Sequence, residues 1–230
     1  MKRLHLHSSH CSGILLAVLL CSIFFASAGI AGAHQPRIAD SMHETFIEEP
    51  EISKAYYGEI RGRPDVYVID SRNKFVLYIE ILVPDTPGVK KDKSVKIERV
   101  DGGARRLIVN LAAETFFWQP YHEKFAGDDY FKGLVLKTSA GPGRYIITIS
   151  SPGNTGKYTL VIGEKESFPP REIVRMLGTL PRIKKDFFHK SPVSAFTNLT
   201  GLFLLITVAV IIFIAWLFVF FIRKIKKRAG

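Results

Sequence analysis

From residue 56 to residue 163 apolar and polar side chains alternate with period two. The run Asp65-Val66-Tyr67-Val68-Ile69 reads as a strand, and Lys74–Val83 reads as a longer one. Ser94–Val100 alternates between apolar and charged residues, and Arg105–Leu111, Phe131–Thr138, Arg144–Ser150 and Lys157–Ile162 complete the set. β-branched and aromatic residues dominate these runs, as a pleated, half-buried surface requires. Turn residues separate them: Asp85-Thr86-Pro87-Gly88, Asp101-Gly102-Gly103, Ala140-Gly141-Pro142-Gly143 and Ser151-Pro152-Gly153-Asn154. Short strands spaced this way, with no helix between them, predict an all-β, antiparallel, jelly-roll-like β-sandwich.

After Phe168 the period changes. Pro169-Pro170 ends the strands, and Arg171–Leu177 reads as a short helix with Ile173, Val174 and Leu177 on one side. Gly178 and Pro181 are expected to break it. Arg182–Lys190 continues with Ile183, Phe187 and Phe188 against Lys184, Lys185 and Lys190. Such a segment suits either the lipid headgroup region or the edge of the sandwich itself, and the sequence leaves both open. Gly201–Ile222 is then 22 residues without a charge. At about 1.5 Å per residue it is roughly 33 Å long, enough to cross a hydrocarbon core of about 30 Å as one helix. Arg223, Lys224, Lys226, Lys227 and Arg228 follow directly and place the C-terminus on the cytoplasmic side. A reporter that works only outside the cytoplasm should therefore be active when fused at Pro192 and silent after Gly230.

The first 33 residues have the layout of a signal peptide. Lys2 and Arg3 precede the apolar Ile14–Phe25, and two small-x-small sites follow, the second ending at Ala33. The expected organisation is a signal peptide at 1–33, an extracytoplasmic sandwich at 34–168, a juxtamembrane helical segment at 169–200, a transmembrane helix at 201–222 and a basic tail at 223–230. Both cysteines, Cys11 and Cys21, fall in the signal segment, so the mature chain is expected to use no disulfide. The net charge of +11 divides unevenly: +2 lies on residues 1–33 and +5 after Ile222, which leaves +4 on residues 34–200. Most of the excess thus reflects topology, and nucleic acid is not an expected partner.

The last two strands carry a resemblance. Gly141-Pro142-Gly143-Arg144-Tyr145-Ile146-Ile147-Thr148-Ile149, followed by Gly156-Lys157-Tyr158-Thr159-Leu160, resembles the closing hairpin of bacterial pre-peptidase C-terminal (PPC) domains and related collagen-binding modules. Gly127-Asp128-Asp129-Tyr130 looks like an acidic stretch of the same domains. The ordered segments Ala55-Tyr56-Tyr57-Gly58, Leu82-Val83-Pro84-Asp85, Phe125–Tyr130 and Ile162–Phe168 look like an uncharacterised family of prokaryotic exported, single-anchor proteins. The resemblance implies a PPC-like sandwich and a single-pass topology; it implies no activity.

Candidate chemistry is sparse. There is no G-x-S-x-G, no H-E-x-x-H and no phosphate-cradling loop, so a non-enzymatic protein is expected. Related collagen-binding modules take calcium on acidic loops, which here points to Asp128, Asp129, Glu48 and Glu49. If cleavage exposes His34, its amine and imidazole offer nitrogen ligands to copper, with His43 or His122 as partner, and this carries a remote oxidoreductase reading. Glu114–Tyr130 holds Phe116, Phe117, Trp118, Tyr121 and Phe125, too many aromatics for an ordinary loop. It reads as a crossover that plugs the sandwich. The alternative is an exposed platform for a glycan or a partner protein, with Trp118 and Tyr121 as its contact residues. Asn198-Leu199-Thr200 matches a glycosylation acceptor by chance, because it abuts the span. The expected function is a membrane-anchored binding module outside the cytoplasm; the alternative is an accessory subunit of a membrane complex that docks through its helix.

Overall fold

In the computed structural model the described residues are 34–229, without the side chains of Phe221 and of residues 224–229. The expected signal peptide, with its expected cleavage site, and the two cysteines lie outside them. The chain divides into two units, one running to Leu204 and one that holds Leu205 onward.

The first unit is a sandwich of two sheets. The eleven strands are β1 (Gln35–Ile38), β2 (Thr45–Ile47), β3 (Lys54–Arg61), β4 (Asp65–Ser71), β5 (Phe75–Pro84), β6 (Ser94–Asp101), β7 (Ala104–Leu111), β8 (Gln119–Glu123), β9 (Asp128–Ala140), β10 (Gly143–Ser150) and β11 (Thr155–Ile162). One sheet has the order β1-β3-β11-β5-β9-β8 and the other β2-β4-β10-β6-β7. The period-two runs form the antiparallel body as expected. Two edges depart from the antiparallel expectation: β1 pairs with β3, and β2 with β4, in parallel. Both are short edge strands, β1 in one sheet and β2 in the other, and the chain changes sheets between them, so neither is joined to its partner by a tight hairpin. The stretch 114–130 is also not a plain crossover, because Gln119–Glu123 forms the edge strand β8.

Between the sheets lie Phe75, Leu77, Ile79 and Ile81 of β5, Val95 and Ile97 of β6, Tyr145, Ile147 and Ile149 of β10, and Tyr158, Leu160 and Ile162 of β11. The two tyrosines of the closing hairpin are fixed by their hydroxyls as well as their rings. Tyr145 donates to Gly141 O at 3.0 Å. The Tyr158 hydroxyl pairs with that of Tyr67 at 2.8 Å and donates to Asp65 Oδ2 at 2.6 Å, deep in the core. Gly58 faces Tyr158 across the β3–β11 ladder, and a Cβ at Gly58 would come within 2.5 Å of the phenol ring. That is why a glycine follows Tyr56-Tyr57.

The segment after β11 packs on the sandwich. Helix α1 (Pro170–Arg182) runs through Gly178 and Pro181 without a break and continues into a π-helical turn, Ile183–Phe187. The expected break does not occur because burial keeps the helical period across it: Ile173, Met176, Leu180, Ile183 and Phe187 are all buried. Val174, expected on the apolar side, is 70 % exposed and Met176 takes that role. Ile183, Phe187 and Phe188 pack on Ala55, Leu82, Tyr130 and Val161, on the face of the β1-to-β8 sheet that points away from the core. Lys184, 3 % exposed, donates to Ala126 O at 2.7 Å and to Asp128 Oδ2 at 2.6 Å, and Lys190 reaches Asp128 Oδ1 at 2.9 Å. Lys157 donates to the carbonyls of Asp186 and Phe187 and so caps the π turn.

Helix α2 (Leu199–Ala229) follows. Asn198 caps it: its Oδ1 accepts from Gly201 N at 2.8 Å, and its Nδ2 donates to the carbonyls of Ala126 and Ser194. An amide engaged in this way serves as a structural cap and not as a sugar acceptor. Leu199–Phe220 is long and apolar enough to cross a membrane.

Candidate functional site

The outward face of the β1-to-β8 sheet is only partly covered by α1 and the π turn. Alternation along β5 turns Phe75, Leu77, Ile79 and Ile81 into the core and leaves Tyr78 and Glu80 on the outer face. Register places Lys137 opposite Tyr78 and Val135 opposite Glu80, on β9. On the next strand, Gln119 lies opposite Lys132 and Tyr121 opposite Tyr130.

Four of these side chains form a connected row. Tyr78 donates its hydroxyl to Glu80 Oε2 at 2.6 Å, and Lys132 Nζ lies 2.9 Å from Glu80 Oε1. The same ammonium sits 4.6 Å from the centre of the Tyr121 ring. Glu80 is 5 % exposed, so a carboxylate has been taken out of water and both its oxygens are engaged. Burial and the neighbouring Glu80 carboxylate raise the Tyr78 hydroxyl above the usual tyrosine range, and burial together with Glu123 raises Tyr121. Both phenols are therefore neutral at physiological pH. Gln119, Val135 and Lys137 are exposed beside the row. The arrangement offers two aromatic rings, a fixed ion pair and an exposed amide. It can hold a polar ligand against a ring face; it contains no nucleophile with an adjacent base.

Behind this row, under α1, lies a cavity of about 40 Å³ lined by residues that include His34, Tyr57, Tyr121, Glu123, Tyr130 and Thr159. It is large enough for ordered water. Thr159 Oγ1 is buried on its wall without a protein partner. Burial pushes the His34 imidazole below the usual histidine range, with Glu80 opposing and Lys132 reinforcing the shift. Burial raises the Glu123 carboxyl, although it accepts from the amides of Phe125 and Ala126.

The residues singled out from the sequence fall in different places. Trp118 is half-buried: it lies edge-on to Phe116 with ring centres 5.6 Å apart, packs on the core, and covers Gly133. Tyr121 belongs to the row above. Phe117, between them, is 82 % exposed. The acidic residues proposed for calcium lie in three different settings. Asp128 is 1 % exposed and its two oxygens already face the ammonium groups of Lys184 and Lys190. Asp129 pairs with His122 at 2.7 Å. Glu48 and Glu49 are exposed in the β2–β3 turn, where their carbonyls accept from Lys54 Nζ. Lysine ammonium groups thus occupy one of the positions where a cation was expected, at Asp128. The histidines proposed for copper lie apart, each with a partner of its own. His34 Nδ1 meets Ser53 Oγ at 2.6 Å, His43 pairs with Asp40, and His122 with Asp129. Among the described residues no three His, Cys, Asp or Glu side chains gather as a metal site. Arg223 is exposed at the end of α2, and the side chains of Lys224, Lys226, Lys227 and Arg228 are outside the described set.

The row itself, apart from Tyr121, was missed. One signal was present: Glu80 is a lone charge in the apolar run Phe75–Val83, at a position whose period points outward together with Tyr78.

No family model matches this chain, and no curated protein does. Solved structures do. The pre-peptidase C-terminal domain of a collagenase from Bacillus anthracis is 13 % identical, with a TM-score of 0.32 over 53 % of this chain and 93 % of that one. CorA, a surface-associated copper-binding protein of Methylomicrobium album BG8, is 9 % identical, with a TM-score of 0.29 over 55 % and 99 %. The CBM35 from Cellvibrio japonicus Abf62 is 14 % identical, with a TM-score of 0.24 over 48 % and 74 %. The neighbours thus include a PPC domain, the kind of sandwich that the closing hairpin resembles.

Proposed function

We propose that this protein is a non-enzymatic binding module, tethered by α2 to the cell membrane with its sandwich outside the cytoplasm, and that it holds a polyhydroxylated ligand such as a cell-envelope glycan on the Tyr78–Glu80–Lys132–Tyr121 row. One observation carries this reading: an ion pair fixed between two half-buried tyrosine rings on the outward face of the sheet. Aromatic faces stack on the apolar side of a sugar ring, and paired donors and acceptors read its hydroxyls. The orientation follows from the cations after Ile222.

The test is glycan binding by the full chain in detergent, before and after Tyr121→Ala and Lys132→Gln. Each variant should lose binding about tenfold or more, which corresponds to about 1.4 kcal/mol, while still unfolding cooperatively; Lys132→Gln should also lower the melting temperature, because it unpairs the buried Glu80. If cell-envelope glycans bind neither the parent nor the variants, the row is not a glycan site.

A second reading rests on α2. Phe213, Trp216 and Phe220 stack in sequence, with ring centres 6.0 and 5.7 Å apart, and all three are exposed. An aromatic ridge of this kind suits docking against another transmembrane helix, as an accessory subunit would need. Replacing Leu205–Ile222 with an unrelated apolar span should then abolish co-purification of partners. Partners retained after the exchange would assign them to the sandwich.

A further inference from the structure

The helix that packs on the sandwich has a second face. Along α1 and its π turn, Arg171, the neighbours Val174 and Arg175, Gly178, Arg182 and Lys185 recur at steps of three or four residues, about one helical turn, and all are exposed. They form one stripe, opposite the buried Ile173, Met176, Leu180 and Ile183. The stripe extends over about 21 Å at 1.5 Å per residue. Four of its six members are cations. Arg175 contacts the buried Glu172 at 3.4 Å, whereas Arg171, Arg182 and Lys185 make no ion pair among the described residues. Asp186 is the one exposed acidic side chain between residues 169 and 200.

We infer that this stripe is a docking surface for an anionic membrane. It rests on the reading that α2 spans the bilayer. Charge complementarity selects the occupant: unpaired cations along an exposed helix face are attracted to anionic headgroups within a Debye length of the surface. Chain continuity supports it, since the apolar span begins at Leu199, 14 residues after Lys185. The apolar face is already buried, Ile183 against the sandwich and Ile173, Met176 and Leu180 against Ala195 and Leu204, so contact with lipid is electrostatic and does not involve insertion of the helix. The aromatic residues Phe187 and Phe188, which the sequence offered to the headgroups, belong to the sandwich. The basic residues are what remains for lipid.

The test uses the full chain with Cys11→Ser and Cys21→Ser, in nanodiscs of phosphatidylcholine with or without phosphatidylglycerol. A fluorophore on Val174→Cys reports headgroup contact through quenching by headgroup-spin-labelled lipid. A fluorophore on Ile212→Cys reports insertion through acyl-chain-labelled lipid. The Val174 label should be quenched in the anionic discs and not in the neutral ones. The quenching should be lost when Arg171, Arg182 and Lys185 are changed together to Gln, and lost again in about 0.5 M salt. Equal exposure of the label in both lipids, or quenching indifferent to the triple change, overturns the proposal while a quenched Ile212 label upholds the span. An unquenched Ile212 label overturns the span, and the docking surface with it.

Discussion

Replacing Asp128 with alanine should destabilise the first unit by about 3–5 kcal/mol, because it strands the buried ammonium of Lys184. The carboxylate is 1 % exposed and is shared by Lys184 and Lys190. Lys190 is 41 % exposed at its side chain and can turn to water. Lys184 is 3 % exposed and would keep only Ala126 O. For a unit of this size each kcal/mol shifts the melting temperature by roughly 2–4 °C, so a fall of about 6–20 °C is expected by calorimetry on the full chain. Trypsin should then cut earlier after Lys184 and Lys185, as the π turn lifts from the sheet. Asp128→Leu with Lys184→Met should recover most of the loss, since an apolar pair of similar volume needs no desolvation. A melting temperature within about 2 °C of the parent after Asp128→Ala would mean that the Lys184 site is wet.

That pair also shows what the sequence could and could not tell. The helical periods of 171–177 and 182–190 were legible, and so was the choice between lipid and sandwich for their apolar faces. What decided the choice was a partner 56 residues upstream. Asp128 reads as one of two adjacent acids in a loop, a pattern that ordinarily means a solvated turn or a cation site. Only the fold brings Lys184 and Lys190 to it. Lys54, by contrast, reaches the backbone carbonyls of Glu48 and Glu49, a contact that no side-chain pattern announces.

Strands were legible where one face meets the core and the other meets water, as in β6, or where a β-branched run is long, as in β5. The parallel edges β1 and β2 were not, because three or four residues give too few positions to show a period. Strand β8 was hidden by its composition: Gln119-Pro120-Tyr121-His122-Glu123 includes a proline, which only an edge strand tolerates. At the candidate site Tyr121 stood out as an aromatic, whereas Tyr78, Glu80 and Lys132 acquire meaning only from the β5–β9–β8 register.

Trp118→Ala should cost about 2–3 kcal/mol, below the 3–5 kcal/mol of a fully buried ring because part of the indole remains in water. The ring packs on the core and lies on Gly133 of β9. A Cβ at Gly133 would stand 2.8 Å from the indole Cζ3, so the glycine is there for the tryptophan. A double-mutant cycle makes this testable. Gly133→Ala alone should destabilise, since the ring must shift or the strand must bend. In the Trp118→Ala background the same change should be close to neutral, because the clash is gone. Trp118→Phe should lose less than Trp118→Ala, as it keeps a ring and removes an Nε1–H that is buried without a protein partner. Emission of Trp118, isolated by Trp216→Phe, should be blue-shifted and only partly quenched by iodide. Additive effects of Trp118→Ala and Gly133→Ala, with full quenching, would mean that the ring stands free of β9, and would return Trp118 to the exposed platform beside Phe117.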